Sequence, residues 1–309
     1  MTEASASLSC SLLLSIARVA IEVRSQAPLS GQNDPAYLPF LSSDAGDETN
    51  ASMRASVFST PCPPNDSPLF FESGGAWNMR PEASGYRLSF HREGSGEFHT
   101  VACSNADTTE VQVYVDQDVR PSAADGTGQR NPVCYPLDQL LLMNHLSGRG
   151  GVVVHAGAAV VDGRALVFPG ASGAGKSTLS RLFVQAGLAD GLLSDDRVIL
   201  RTTQPGGVSV WGTPWPGDAG IAANADAPLG ALLFLVKSDV NELVPLSSAA
   251  AMKRLMPVVS CPWYDPERLP GVLDTCARVV ESYPGYDLRF RPDADAVSLL
   301  VGRSWRPAS

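Results

Sequence analysis

Hydrophobic and polar positions change rhythm near residue 135. Ahead of it lie short alternating or aromatic runs, such as Tyr86-Arg87-Leu88-Ser89-Phe90 and Val111-Gln112-Val113-Tyr114-Val115. Polar loops containing glycine and proline separate them, which is the pattern of an antiparallel β domain. Residues 25–66 and 119–133 hold much of the proline and serine and read as loops, with part of the first expected to be disordered. The apolar stretch 8–17 has no basic residues ahead of it, and Arg18 follows too soon for a membrane span, so it reads as a first strand or helix.

Beyond 135 the periods lengthen. Leu137 to Leu146 predicts an apolar helix ending at Gly148, and Gly151–His155 and Ala158–Val161 predict two strands. Asp162-Gly163 is a tight-turn pair ahead of the strand 164–169. Further strands are predicted at 192–200, 207–212, 231–237 and 286–291, and helices at 177–187, 247–257, 270–282 and 293–301. No internal repeat is visible. The pattern predicts two domains, a mostly β N-terminal domain over 1–134 and an α/β domain over 135–309.

The strand 164–169 runs into Gly170-Ala171-Ser172-Gly173-Ala174-Gly175-Lys176-Ser177-Thr178, and a helical pattern follows at once. This is a complete phosphate-binding loop, G-x-x-x-x-G-K-[ST], in the strand–loop–helix context that the chemistry requires. Glycines let main-chain N–H groups turn inward around an anion, and the new helix points its positive end at the same spot. Lys176 can reach the outer phosphates, and Ser177 is the expected magnesium ligand.

Downstream, Asp195-Asp196 interrupts the apolar run Leu192 to Leu200. Carboxylates inside such a run need a cation or donors to offset their desolvation, and a metal–nucleotide beside the loop would supply it. The competing reading is an exposed turn with two solvated acids. Composition adds exclusions. The net charge of −9 and the lack of a basic run argue against nucleic acid as a partner. The chain has 309 residues, 44% of them hydrophobic, enough for two cores, and the picture is of a cytoplasmic protein with no membrane partner. The six cysteines show neither C-x-x-C nor metal-ligand spacing and read as reduced structural thiols.

The order Val154-His155-Ala156-Gly157, hairpin, Gly170–Thr178 and Ser194-Asp195-Asp196 resembles the catalytic domain of the HPr serine kinase/phosphorylase family, whose fold is related to that of phosphoenolpyruvate (PEP) carboxykinase. With Gly212-Thr213-Pro214-Trp215-Pro216-Gly217-Asp218 added, it is similar to the HPr-kinase-related proteins of bacterial peptide-maturation clusters, including kinases that modify lasso-peptide precursors. The resemblance covers residues 135–301. It implies an α/β P-loop kinase domain of the HPr kinase/PEP carboxykinase type behind a mostly β domain.

The resemblance also implies site roles. ATP would lie on 170–178 with Mg²⁺; Asp195 would be the base toward a hydroxyl and Asp196 the metal-side acid, an assignment that adjacent residues can exchange. His155, from the residues alone a satisfied core histidine, matches the family's active-site histidine and would join Asp195 and Lys176 as catalytic. Asp218 is a candidate second metal contact or a plain loop acid, and Trp215 a lid element or packing. Lys253, Arg254 and Arg278 read as solvated. The chain lacks the glycine-rich signature of true HPr kinases, so neither HPr nor reverse phosphorolysis is implied. The expected reaction is γ-phosphoryl transfer from ATP to a serine of a peptide or small protein, with the N-terminal domain aiding acceptor recognition. The alternatives are a small-molecule alcohol as acceptor, or a non-catalytic ATP-sensing scaffold. A homo-oligomer stays open.

Overall fold

The computed structural model describes residues 8, 10–30, 34–42, 53–91, 98–116, 129–204 and 206–305. The chain divides into two compact units, Met1–His145 and Leu146–Ser309.

In the first unit the strands are β1 (Cys10–Ile16), β2 (Val19–Ser25), β3 (Leu29–Ser30), β4 (Met53–Phe58), β5 (Phe71–Ser73), β6 (Trp77–Glu82), β7 (Gly85–His91), β8 (Phe98–Asn105), β9 (Glu110–Val115) and β10 (Gln129–Arg130). Helix α1 (Leu137–Ser147) follows. Eight of the strands form one sheet in the order β1-β2-β4-β9-β8-β7-β6-β5, and β10 pairs with β3. Within the stretch 8–17, Cys10–Ile16 is thus a strand. The sheet is not purely antiparallel, because β4 runs parallel to both β2 and β9.

Strand β4 lies inside the segment read as a loop from its polar composition. Its period-2 signal is carried by Met53, Ala55 and Val57, all buried, with Arg54, Ser56 and Phe58 half-buried between them. A short helical turn over Pro35–Phe40 occupies another part of that segment, capped by the Asp34 side chain accepting from the Ala36 N–H. Residues 31–33, 43–52 and 119–128 of the two loop segments lie outside the described residues.

The units part eleven residues later than the expected boundary at 134/135. The first turns of α1 belong with the first unit: the Tyr37 hydroxyl donates to Asp138 at 2.7 Å and accepts from the Tyr135 N–H at 2.7 Å, and His145 Nδ1 lies 3.3 Å from the Thr108 carbonyl.

The second unit contains β11 (Gly151–Val161), β12 (Arg164–Pro169), α2 (Lys176–Gln185), β13 (Leu192–Ser194), β14 (Arg197–Thr203), β15 (Gly207–Trp211), β16 (Asp226–Lys237), β17 (Glu242–Leu246), α3 (Ser248–Leu255), β18 (Val259–Ser260), α4 (Leu269–Ser282), β19 (Gly285–Phe290) and α5 (Ala294–Val301). The main path is β12-β11-β14-β15-β16-β19-β17, with β12 also pairing β16, so β16 takes part in three ladders, while β11 pairs with β12, β13, β14 and β18. The sheet is mixed: β16 runs parallel to β12 and β19 and antiparallel to β15.

Three strand expectations change. The two strands predicted at 151–155 and 158–161 are one, because Ala156 and Gly157 are small but not turn-forming and stay in register opposite Pro169 and Phe168. The single strand predicted at 192–200 is two, broken at the aspartate pair. Strand β17 carries Pro245, which weakens its signal and fits its position at the sheet edge.

Alternation along β12 builds two cores. Ala165 and Val167 join a cluster with Ala251 and Leu255 of α3 and Val272, Cys276 and Val279 of α4. Leu166 and Phe168 join a second with Leu179, Leu182 and Phe183 of α2 and Ala296, Val297 and Leu300 of α5. Helices therefore cover both faces, and the loop between β12 and α2 lies at the strands' carboxyl end. No helix among the described residues is long and apolar enough to cross a membrane.

Phe168 is fully buried, its ring 6.0 Å from that of Phe183. Phe168→Ala is expected to destabilise the protein by about 3–5 kcal/mol. Chemical denaturation checks this, and a loss under about 1 kcal/mol would contradict the packing described.

Candidate active site

Strand β12 hands directly into the glycine-rich loop 170–175, and the loop into α2, whose first residue is Lys176. The register explains why the motifs meet. Strand β11 lies between the two chain segments that carry them: Ala156 is opposite Pro169 on one side and His155 is opposite Arg197 on the other. Two main-chain hydrogen bonds tie the junction, Gly170 N–H to the His155 carbonyl at 3.1 Å and Ala156 N–H to the Asp196 carbonyl at 2.8 Å. The head of the loop, His155 and the aspartate pair are neighbours because the ladder puts them there.

Ala171, Ser172 and Gly173 are exposed, while Ser177 and Thr178 are half-buried at the start of α2. Gly175 caps the helix at φ 107° with no side-chain cap, and a Cβ there would lie 3.1 Å from Phe290 Cζ. Only glycine meets both conditions without strain. The apolar face of α2, with Leu179, Leu182 and Phe183, holds its amino end in place.

Lys176 is only 6% exposed, and its Nζ donates to the carbonyls of Gly170 at 2.9 Å and Ala171 at 3.3 Å. His155 Nε2 lies 2.9 Å from Lys176 Nζ and 2.8 Å from Asp196 Oδ1. One ring nitrogen cannot accept from the lysine and donate to the carboxylate at once, so the position of a single proton decides which contact is a hydrogen bond. Lys176 Nζ is 4.0 Å from Asp196 Oδ1, and Arg197 Nη1 donates to Asp196 Oδ2. Burial pushes the Lys176 ammonium below the ordinary lysine range, with Asp196 opposing the shift. Burial pushes the Asp196 carboxyl up, but the His155 hydrogen bond and the charges of Arg197 and Lys176 together hold it below the usual carboxylate range.

Asp195, expected to be the base, is fully buried. Its Oδ1 accepts from the Gly217 N–H at 2.9 Å and the Ile221 N–H at 3.1 Å, and its Oδ2 from the Ala219 N–H at 2.7 Å. Both oxygens are engaged by main chain, whereas Asp196 is the acid that faces Lys176 and His155. The expected metal set of Ser177, Asp196 and Asp218 is not gathered by direct contact: Asp218 is exposed on the 217–221 turn, and among the described residues no group of three or more His, Cys, Asp or Glu side chains is placed to hold a metal. Magnesium needs only one or two protein oxygens when phosphates supply others, so the donors Asp196 and Ser177 suit it.

Trp215 is buried and packs. Lys253 and Arg278 are exposed, and Arg254 pairs with Asp287 at 2.8 Å, away from the loop. Arg197 escaped the sequence reading; its signal was a cation directly after the acidic pair, in register with His155. All six cysteines are free thiols.

No protein-family model matches the chain, and no curated protein matches it. Among solved structures the chain is similar to the Hpr(Ser) kinase/phosphatase from Coxiella burnetii, at 14% identity and a TM-score of 0.29, over 48% of this chain and 93% of that one. A superposition that loose fixes no residue correspondence.

Gly175→Ala forces a side chain into a left-handed cap against Phe290. It is expected to cost about 1–3 kcal/mol of stability, read by thermal or chemical unfolding. A variant as stable as the parent would mean that the cap is not strained as described.

Proposed function

We propose that the second unit is an ATP-dependent phosphotransferase acting on a hydroxyl group, with Mg²⁺ travelling on the nucleotide. One observation carries the reading: the amino end of α2, Lys176, His155 and Asp196 converge within 4.0 Å of one another at the mouth of the phosphate loop. The motif resemblance supports a serine of a peptide or small protein as acceptor.

Phosphoryl transfer asks a protein mainly for positioning and charge neutralisation. The loop N–H groups and the helix end hold the phosphates, and Lys176 leaves its two carbonyl partners to follow the β- and γ-phosphate charge. Ser177 and Asp196 would be the protein donors to a magnesium ion carried on the nucleotide, which would neutralise phosphate charge. The acceptor oxygen attacks the γ-phosphorus as the bond to the ADP oxygen breaks, that oxygen keeping the electron pair. The hydroxyl proton passes to the His155–Asp196 pair. Arg197 keeps Asp196 from turning away, since it occupies Oδ2 while Oδ1 faces the imidazole.

Two variants test the reading. Lys176→Ala should weaken ATP binding at least tenfold, about 1.4 kcal/mol, in calorimetry. Asp196→Asn should bind ATP within a few-fold of the parent but lower transfer to a serine-containing peptide by about 10²–10⁴-fold. Equal ATP affinity for the parent and Lys176→Ala would sink the proposal, and full turnover by Asp196→Asn would remove the aspartate from the chemistry.

A further inference from the structure

The 217–221 turn and Asp195 have no part in the step just described, yet they are built around each other. The segment 212–225 is fastened at both ends to the strands that flank the aspartates. Thr213 Oγ1 donates to the Arg197 carbonyl at 2.6 Å, Ala223 N–H to the Leu193 carbonyl at 3.1 Å, and Gly212 N–H to the Ala225 carbonyl at 3.0 Å. Between those fastenings, the turn is tied down by the Asp195 carboxylate, which takes the N–H groups of every second residue, Gly217, Ala219 and Ile221. Such alternating donors form a concave anion seat, and a buried carboxylate needs one when no cation is hydrogen-bonded to it.

Gly217 makes the coupling steric as well. A Cβ at this position would lie 2.9 Å from Asp195 Oδ2 and 3.0 Å from Asp196 Cβ, so the Gly217 backbone rests on both aspartates. A base needs an acceptor site turned toward its substrate, whereas both Asp195 oxygens are turned to the N–H groups of the turn.

We infer that Asp195 is a positioning residue whose carboxylate seats the Gly217–Ile221 turn against Asp196 and so fixes the acid that faces Lys176 and His155. Its kinetic consequence rests on the phosphotransferase reading; its structural consequence does not.

The experiment uses the full chain and two variants that attack the contact from opposite sides. Asp195→Asn keeps one acceptor oxygen and turns an NH₂ toward donors. Gly217→Ala leaves Asp195 intact and lifts the turn. Amide hydrogen exchange over 212–222 is measured first, without nucleotide. The parent should protect Gly217, Ala219 and Ile221, and both variants should exchange there at least about tenfold faster. Under the phosphotransferase reading, both should also lower kcat while leaving ATP affinity within about threefold of the parent.

Fast exchange of those amides in the parent would overturn the inference, as would full protection in Asp195→Asn. So would a Gly217→Ala protein that turns over at the parental rate beside an inactive Asp195→Asn, because that pattern belongs to a base. If Asp195→Asn does not fold, the parent and Gly217→Ala decide the matter through exchange alone. If the protein transfers no phosphate, the exchange arm still reports on the anchor, so failure of the inference and failure of the functional reading are told apart.

Discussion

The site depends on one strand being shared. Strand β11 accepts the phosphate-loop side through β12 and the aspartate side through β13 and β14. His155 lies where the two ladders meet, its carbonyl taking the Gly170 N–H, while the Ala156 N–H reaches the Asp196 carbonyl. Main-chain bonds of this kind fix relative positions to within a fraction of an ångström, so three motifs separated in sequence become one cluster without any side chain having to find another. The two cores on either face hold the strand flat between α3 and α4 on one side and α2 and α5 on the other.

Inside that frame the charges limit one another. Lys176 is nearly buried, and burial disfavours its charge; Asp196 offsets this at 4.0 Å. Asp196 in turn is held ionised by His155, Arg197 and Lys176 against its own desolvation. Removing one partner from such a group leaves the others with an unbalanced charge in a poorly solvated place, which is costlier than the loss of a single contact. The cluster is therefore a unit, and the shared Nε2 of His155 makes the proton's position a property of the unit.

Sequence reading reached the parts of this that local pattern encodes. The loop between β12 and α2, the turn at Asp162-Gly163 and the helix starting at Lys176 follow from glycine spacing and helical period. The long strand β11 did not, because Ala156-Gly157 looks like a break when only neighbours are considered and becomes continuous when β12 pairs across it. Strand β4 was hidden by Arg54 and Ser56, polar residues on the half-buried positions of a strand whose parallel pairing no local pattern reveals. Arg197 lacked a motif; only its register with His155 marks it.

The aspartate pair shows most clearly what local pattern leaves out. As residues, Asp195 and Asp196 are indistinguishable, and a motif can give both to the same chemistry. The strand breaks at this pair and the chain bends there. Between β13 and β14 this sends one carboxylate into the N–H groups of 217–221 and the other toward Lys176. What separates their roles is the turn that follows β15, whose alternate amides and unsubstituted Gly217 can receive only the first of the two. An acidic doublet beside a phosphate loop thus supplies one carboxylate to the mouth of the loop and spends the other on the wall that keeps it there.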